Sequence, residues 1–197
     1  MHKEEQQLTE QNTFFSEKTV TRRGFLKTCG FVAANLAVPT AFAKMVAPQE
    51  RKLNFYHLHT GEKLTATYWA DGNYVTDELQ QINYLLRDFR SEEVYPIDRD
   101  LLDLLYVLKQ KVDRGRAFHI ISGYRSPATN SMLRKKSTGV ARRSLHMRGM
   151  AIDIRLPGCD LTTLRRTALS MKKGGVGYYP KSNFIHVDVG RVRTWKG

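Results

Sequence analysis

Two short apolar runs, each interrupted by groups able to bind metal, constrain this chain more than any other feature. The first is Met150-Ala151-Ile152-Asp153-Ile154 and the second is Phe184-Ile185-His186-Val187-Asp188-Val189. Side chains of a strand alternate between its faces. Asp153 therefore points away from Ile152 and Ile154, while His186 shares a face with Asp188, opposite Ile185, Val187 and Val189. If the two strands are neighbours, Asp153 and His186 approach one point. His146 reaches that point from Ser144-Leu145-His146-Met147-Arg148-Gly149, with Gly149 supplying a tight bend. Two imidazoles and one carboxylate hold Zn2+ at about 2.0–2.2 Å and leave a fourth position open, the ligand count of a hydrolytic site. Taken singly, each residue reads as a packed histidine or a paired strand aspartate. Their joint arrangement is what points to a metal.

The remaining pattern predicts an α+β fold, a small antiparallel sheet backed by helices. Strand-like residues 53–59 and 63–69 flank Thr60-Gly61-Glu62 and predict a hairpin. Leu79, Ile82, Leu85, Leu86 and Phe89 recur at helical spacing over 77–90. A second helix starts at Asp98 and buries Leu101, Leu102, Leu104, Leu105, Leu108 and Val112. A buried strand at 117–121 runs into Ser122-Gly123-Tyr124-Arg125-Ser126. A short helix (128–136) and a basic loop (137–148) follow. Asp160 caps a helix through 172, ended by Gly174-Gly175, and strands at 176–179 and 184–189 close the sheet. His57 and His59 share one face of the first strand at a spacing that can bind metal. No third ligand accompanies them, so they read as a structural or solvated pair, and His119 reads as packed.

Residues 1–43 read as a removable leader. Thr21-Arg22-Arg23-Gly24-Phe25-Leu26-Lys27 is a twin-arginine sequence, a mostly apolar run covers 31–42, and Ala41-Phe42-Ala43 offers small residues for cleavage. The run is shorter than the roughly 20 residues a spanning helix needs. Cleavage would leave no stable membrane span; the alternative is an uncleaved anchor. Residues 44–52 then form a flexible arm and 53–197 one domain. The only other cysteine, Cys29, lies in the leader, so Cys159 has no intrachain partner. Past residue 43 the chain carries 27 basic and 15 acidic side chains, a net +12. Such a charge suits a polyanionic surrounding. Export by the twin-arginine machinery argues against nucleic acid and leaves anionic lipid or an acidic wall polymer.

Ser144-x-His146-x-x-Gly149-x-Ala151-x-Asp153 with the later His186 resembles the zinc peptidases of peptidoglycan, the lysostaphin and D-alanyl-D-alanine metallopeptidase superfamily. Ser122-Gly123-Tyr124-Arg125-Ser126 is similar to the D-alanyl-D-alanine branch. The likeness extends over 53–195, including 174–180 and Trp195. It implies a Hedgehog-like fold, Zn2+ on His146, Asp153 and His186, and a substrate side formed by Arg125 with Ser122 and Tyr124. It implies a periplasmic murein endopeptidase that cuts peptide crosslinks, including those between two diaminopimelate residues. Such relatives often carry a Glu or His base two or three residues before the last ligand, where this chain has Phe184 and Asn183. Asp188 is then either the base or a partner that orients a ligand imidazole. Two other functions stay open: a D,D- or L,D-carboxypeptidase on stem peptides, and a non-catalytic peptidoglycan-binding module. Arg134, Lys135, Lys136, Arg142, Arg143 and Arg148 read as a lure for acidic substrate or as a solvated face. Tyr178, Tyr179 and Trp195 read as groove walls or as core.

Overall fold

The structure, a computed structural model, describes residues 49–112, 115–137 and 139–197. In chain order its elements are β1 (Glu50–His57), β2 (Lys63–Ala70), β3 (Asn73–Tyr74), α1 (Thr76–Leu85), α2 (Arg99–Val112), β4 (Phe118–Ser122), α3 (Pro127–Lys136), a 3-10 turn (Leu145–Arg148), β5 (Ala151–Arg155), α4 (Leu161–Ser170), β6 (Gly175–Tyr179), β7 (Phe184–Asp188) and β8 (Arg193–Lys196). The expected leader, and arm residues 44–48 after it, lie outside the described residues. From Glu50 on, the expected arm is strand, since Glu50 pairs with Ala70 and Arg51 with Trp69.

All eight strands form one sheet in the order β3-β2-β1-β4-β5-β7-β6-β8. The α+β class holds. The sheet is larger than expected and mixed, because β1 pairs parallel with β4 and β6 parallel with β8. The first hairpin thus belongs to the same sheet as the candidate ligands. One face is apolar across β2, β1, β4, β5 and β7: Leu53, Phe55, Ala66, Tyr68, Phe118, Ile120, Ile152, Ile154, Ile185 and Val187 are buried there with leucines of α1, α2 and α4. Each buried Val, Leu, Ile or Phe among them contributes about 1.5–3 kcal/mol on leaving water.

The opposite face of β5, β7 and β6 is free to carry polar groups. A register shift in β4 between Ile120 and Ser122 moves Ser122 onto that face, opposite Asp153. Helix α1 stops at Leu85, short of the expected 90. The Leu86 carbonyl accepts the Tyr124 N–H at 2.8 Å, and the buried Asp88 carboxylate accepts the Ser126 N–H at 2.9 Å. Those bonds tie the turn after α1 to the segment that carries Arg125. Among the described residues no helix is long and apolar enough to cross a membrane.

Candidate functional site

Strand register alone brings two of the candidate ligands together: Asp153 of β5 lies directly opposite His186 of β7. The third arrives on the 3-10 turn. Gly149 ends that turn with φ +64°, and a side chain there would collide with the Pro96 carbonyl, so glycine is required twice over. His146 Nε2, His186 Nδ1 and an Asp153 carboxylate oxygen all lie within 4.8 Å of one another, and all three residues are buried. No other such group occurs among the described residues.

The outer nitrogens decide what the inner ones can do. His146 Nδ1 is 2.7 Å from the Gly123 carbonyl, and His186 Nε2 is 2.9 Å from Asp188 Oδ2. Both partners are acceptors, so in the neutral imidazoles each outer nitrogen carries the proton and each inner nitrogen presents a lone pair. The two inner nitrogens are 3.1 Å apart and lie 3.3 and 2.9 Å from Asp153 Oδ1. Three acceptors face one another with no donor between them, and a cation is what such a set fits.

Electrostatics agrees with that geometry at His146 and Asp153. Burial pushes the His146 pKa below its ordinary value, the direction that keeps a ligand imidazole neutral. Burial opposes ionisation of Asp153, but His146 and His186 beside it hold its carboxyl well below the usual range. His186 is likewise opposed by burial, yet its bonds to Asp153 and Asp188 raise it. Without a cation the two carboxylates favour a second proton on His186, on the inner nitrogen beside Asp153; a metal ion would take the place of that proton.

Behind His186 lies Asp188, which has no exposed surface. Its Oδ1 accepts the N–H groups of Gly175 and Gly190, both at 2.9 Å, and Arg193 Nη1 at 3.0 Å. Its Oδ2 accepts Arg193 Nη2 at 2.7 Å along with His186. Despite burial, those donors hold the Asp188 carboxyl low. Gly175 leaves room for this contact, since a Cβ there would meet Asp188 Oδ2 at 2.5 Å.

A cavity of about 420 Å³ opens over the three ligands and is lined by Arg125, Arg143, Ser144, Tyr179, Phe184 and Trp195 among others. Arg125 approaches from the end of β4. Its Nη1 lies 3.4 Å from Asn130 Oδ1, its Nη2 3.7 Å from Asp153 Oδ2, and its buried Nε has no partner. Burial draws its pKa down while Asp153 raises it, and a guanidinium keeps its charge throughout. Asn130, itself buried, also donates to the Ala141 carbonyl at 3.1 Å, which fastens the basic loop to α3.

Ser122 and Tyr124 do not line that cavity. Ser122 is buried in the sheet opposite Asp153, and Tyr124 stacks on Tyr95 with centroids 4.8 Å apart. Asp188 does not line it either. Arg134, Lys135, Lys136, Arg142 and Arg148 are exposed around the site, while Arg143 reaches the cavity. Asn183 sits beyond it in a left-handed turn at φ +53°. His57 is buried and His59 stacks on Phe89 at 4.1 Å. His119 packs edge-on against Tyr56. Sequence reasoning missed Asn130, Arg193 and the alternating Gly175 and Gly177. Only the glycines left a signal, as two vacancies on one strand face.

A family model described as peptidoglycan L,D-endopeptidase MepK matches residues 45–195. The Escherichia coli K12 protein of that name is 42% identical over 175 residues, covering 88% of this chain and 96% of its own. The Shigella flexneri protein shows the same figures, 42% over 175 residues. A probable peptidoglycan L,D-endopeptidase MepK of Haemophilus influenzae is 39% identical over 178 residues, covering 89% of this chain and 96% of its own. No solved structure matches the chain.

Proposed function

This chain belongs to the peptidoglycan L,D-endopeptidase MepK family, and from that premise we propose that it is a zinc-dependent endopeptidase hydrolysing peptide crosslinks of murein. The observation that carries the metal is the trio of inward acceptors on His146, Asp153 and His186, with both imidazoles held from behind. These three would hold zinc through two nitrogens and a carboxylate. Zinc in such a setting supplies Lewis acidity, polarising an amide carbonyl and bringing the pKa of water toward about 7.

The protein's own groups do the rest. Arg125 lines the cavity with only long contacts to Asn130 and Asp153, so it binds an oxygen of the substrate, either the scissile carbonyl or a stem carboxylate. Asp188 orients His186 through the Nε2–H bond, and Arg193 keeps it anionic. Ser122 and Tyr124 seat the segment that bears Arg125. The exposed cations around the cavity raise the local concentration of an acidic substrate.

The names of the relatives point to a bond between an L and a D centre, and we assign the diaminopimelate–diaminopimelate crosslink. The leader ending at Ala43 sends the folded domain by the twin-arginine route to the periplasm, where that substrate lies. The test is metal analysis of the mature protein beside a digest of purified sacculi with and without chelator. Expected are about one zinc per chain, release of monomers from crosslinked dimers, and loss of both with chelator or in His146→Ala. Monomers shortened by one residue would mean a carboxypeptidase. Sacculus binding without release would mean a wall-binding module.

A further inference from the structure

Strands β5, β7, β6 and β8 place Asp153, His186, Gly177 and Trp195 in one cross-sheet row, since each is the register partner of the next. Gly177 is the gap in that row. A Cβ there would meet the Trp195 indole at 2.6 Å, and its absence lets the indole close to 5.1 Å from the His186 ring. Trp195 Nε1 then donates to the Tyr179 hydroxyl at 2.9 Å. Tyr179 stands two residues beyond Gly177 on the same face, opposite Phe184, and stacks on that ring with centroids 4.5 Å apart. Two aromatic partners therefore fix both the plane and the oxygen of this phenol.

A phenol O–H lies near its ring plane and has two directions to choose from. The indole N–H occupies one, which leaves the proton pointing along the other. Among the described residues that proton has no acceptor, and Tyr179 lines the same cavity as His146, Asp153, His186 and Arg125. The strand order β4-β5-β7-β6 puts Arg125, just past β4, on one flank of the ligands and Tyr179, on β6, on the other.

We propose that Tyr179 is a catalytic residue, donating a hydrogen bond from its oriented hydroxyl to the amide oxygen as negative charge develops there. This rests on the endopeptidase reading. No proton is transferred, and the phenol stays neutral before and after turnover. Trp195 is a positioning residue, because it acts only by fixing the direction of that hydroxyl. A donor already aimed at the developing charge needs no reorganisation during reaction, which is why such groups act on turnover more than on binding.

The experiment measures kcat and KM of the zinc-loaded mature protein on purified crosslinked muropeptide dimers, with zinc content and Tm recorded for each variant. For Tyr179→Phe the expected result is a fall of about 10²-fold in kcat, the scale of losing one such donor, with KM within twofold and zinc and Tm unchanged. Trp195→Phe keeps the phenol but frees its rotation, so it should fall less, by about 10-fold. Unchanged kcat in Tyr179→Phe overturns the proposal, as does a loss confined to KM or one that tracks zinc loss. A zinc-loaded wild type that releases nothing removes the endopeptidase reading itself, and the proposal with it.

Discussion

Replacing Asp188 by Asn keeps the size of the side chain and removes the charge that Arg193 and His186 share. At the Oδ1 position the amide nitrogen would face the Gly175 and Gly190 N–H groups and Arg193 Nη1; at the Oδ2 position, with fewer donors against it, it would face Arg193 Nη2 and the His186 Nε2–H. The imidazole is released from its fixed direction. Asp188→Asn should therefore weaken zinc affinity by about 10–100-fold, the usual cost of losing an outer partner of a ligand. Competition with a chelator of known strength reads this directly. Turnover should recover as zinc is added back; unchanged affinity with lost turnover would return Asp188 to the role of base. At this scale the sequence was informative where alternation governs: Asp153 and His186 face one another as their strand pattern required. It left Asp188 undecided because the deciding neighbour, Arg193, comes from a strand paired to neither candidate, β8. Ser122 and Tyr124 were legible as a segment, but their facing depends on a register shift in β4 and a stack with Tyr95 that no local pattern announces.

Strand β6 shows how an element is built around what it lacks. Gly175 makes room for Arg193 to reach Asp188, and Gly177 makes room for Trp195 to reach His186. Gly177→Ala puts a methyl into the indole ring. A forced shift of this kind costs about 1–3 kcal/mol, read as a lowered Tm. Because the displaced indole is what orients Tyr179, the variant should also lose turnover out of proportion to its stability. Full activity at a lowered Tm would mean the seat serves packing alone. The sequence assigned Gly174-Gly175 to the end of the preceding helix, the commoner use of glycine. In fact α4 ends at Ser170 and β6 begins at Gly175. Helix α1 was over-extended for a related reason. Leu86 and Phe89 continue the helical spacing, yet Phe89 packs on His59 and the Leu86 carbonyl is taken by Tyr124. Tertiary partners claimed residues whose local pattern said helix.

The sheet as a whole is wider than its local signals suggested. The β1–β4 pairing joins Phe55 to Phe118 across two intervening helices, and β8 is four residues of mixed polarity. Neither leaves a periodic trace. That pairing makes the first hairpin part of one cooperative unit, and His57 carries the consequence. It ends β1 opposite Ile120, fully buried, with Nδ1 accepting the N–H groups of His59 and Thr60 at 3.3 Å. Among the described residues its Nε2–H has no hydrogen-bond partner, and its ring meets Phe89 edge-on at 5.6 Å. Burial, with His59 and Arg87 adding to it and Glu62 opposing, pushes its pKa down to about 4. An unfolded histidine titrates near 6.5. Between those values the unfolded chain binds a proton the folded one refuses, so stability is full above about pH 6.5 and falls as pH drops toward 4. The shift sets an upper bound of about 3 kcal/mol on that loss. His57→Gln removes this titration, so the wild type should lose more stability than the variant between pH 7 and pH 4 in urea unfolding, by at most about 3 kcal/mol. Taking the difference cancels the metal ligands, which titrate alike in both proteins. Parallel curves would show that protonated His57 finds a partner in the folded sheet.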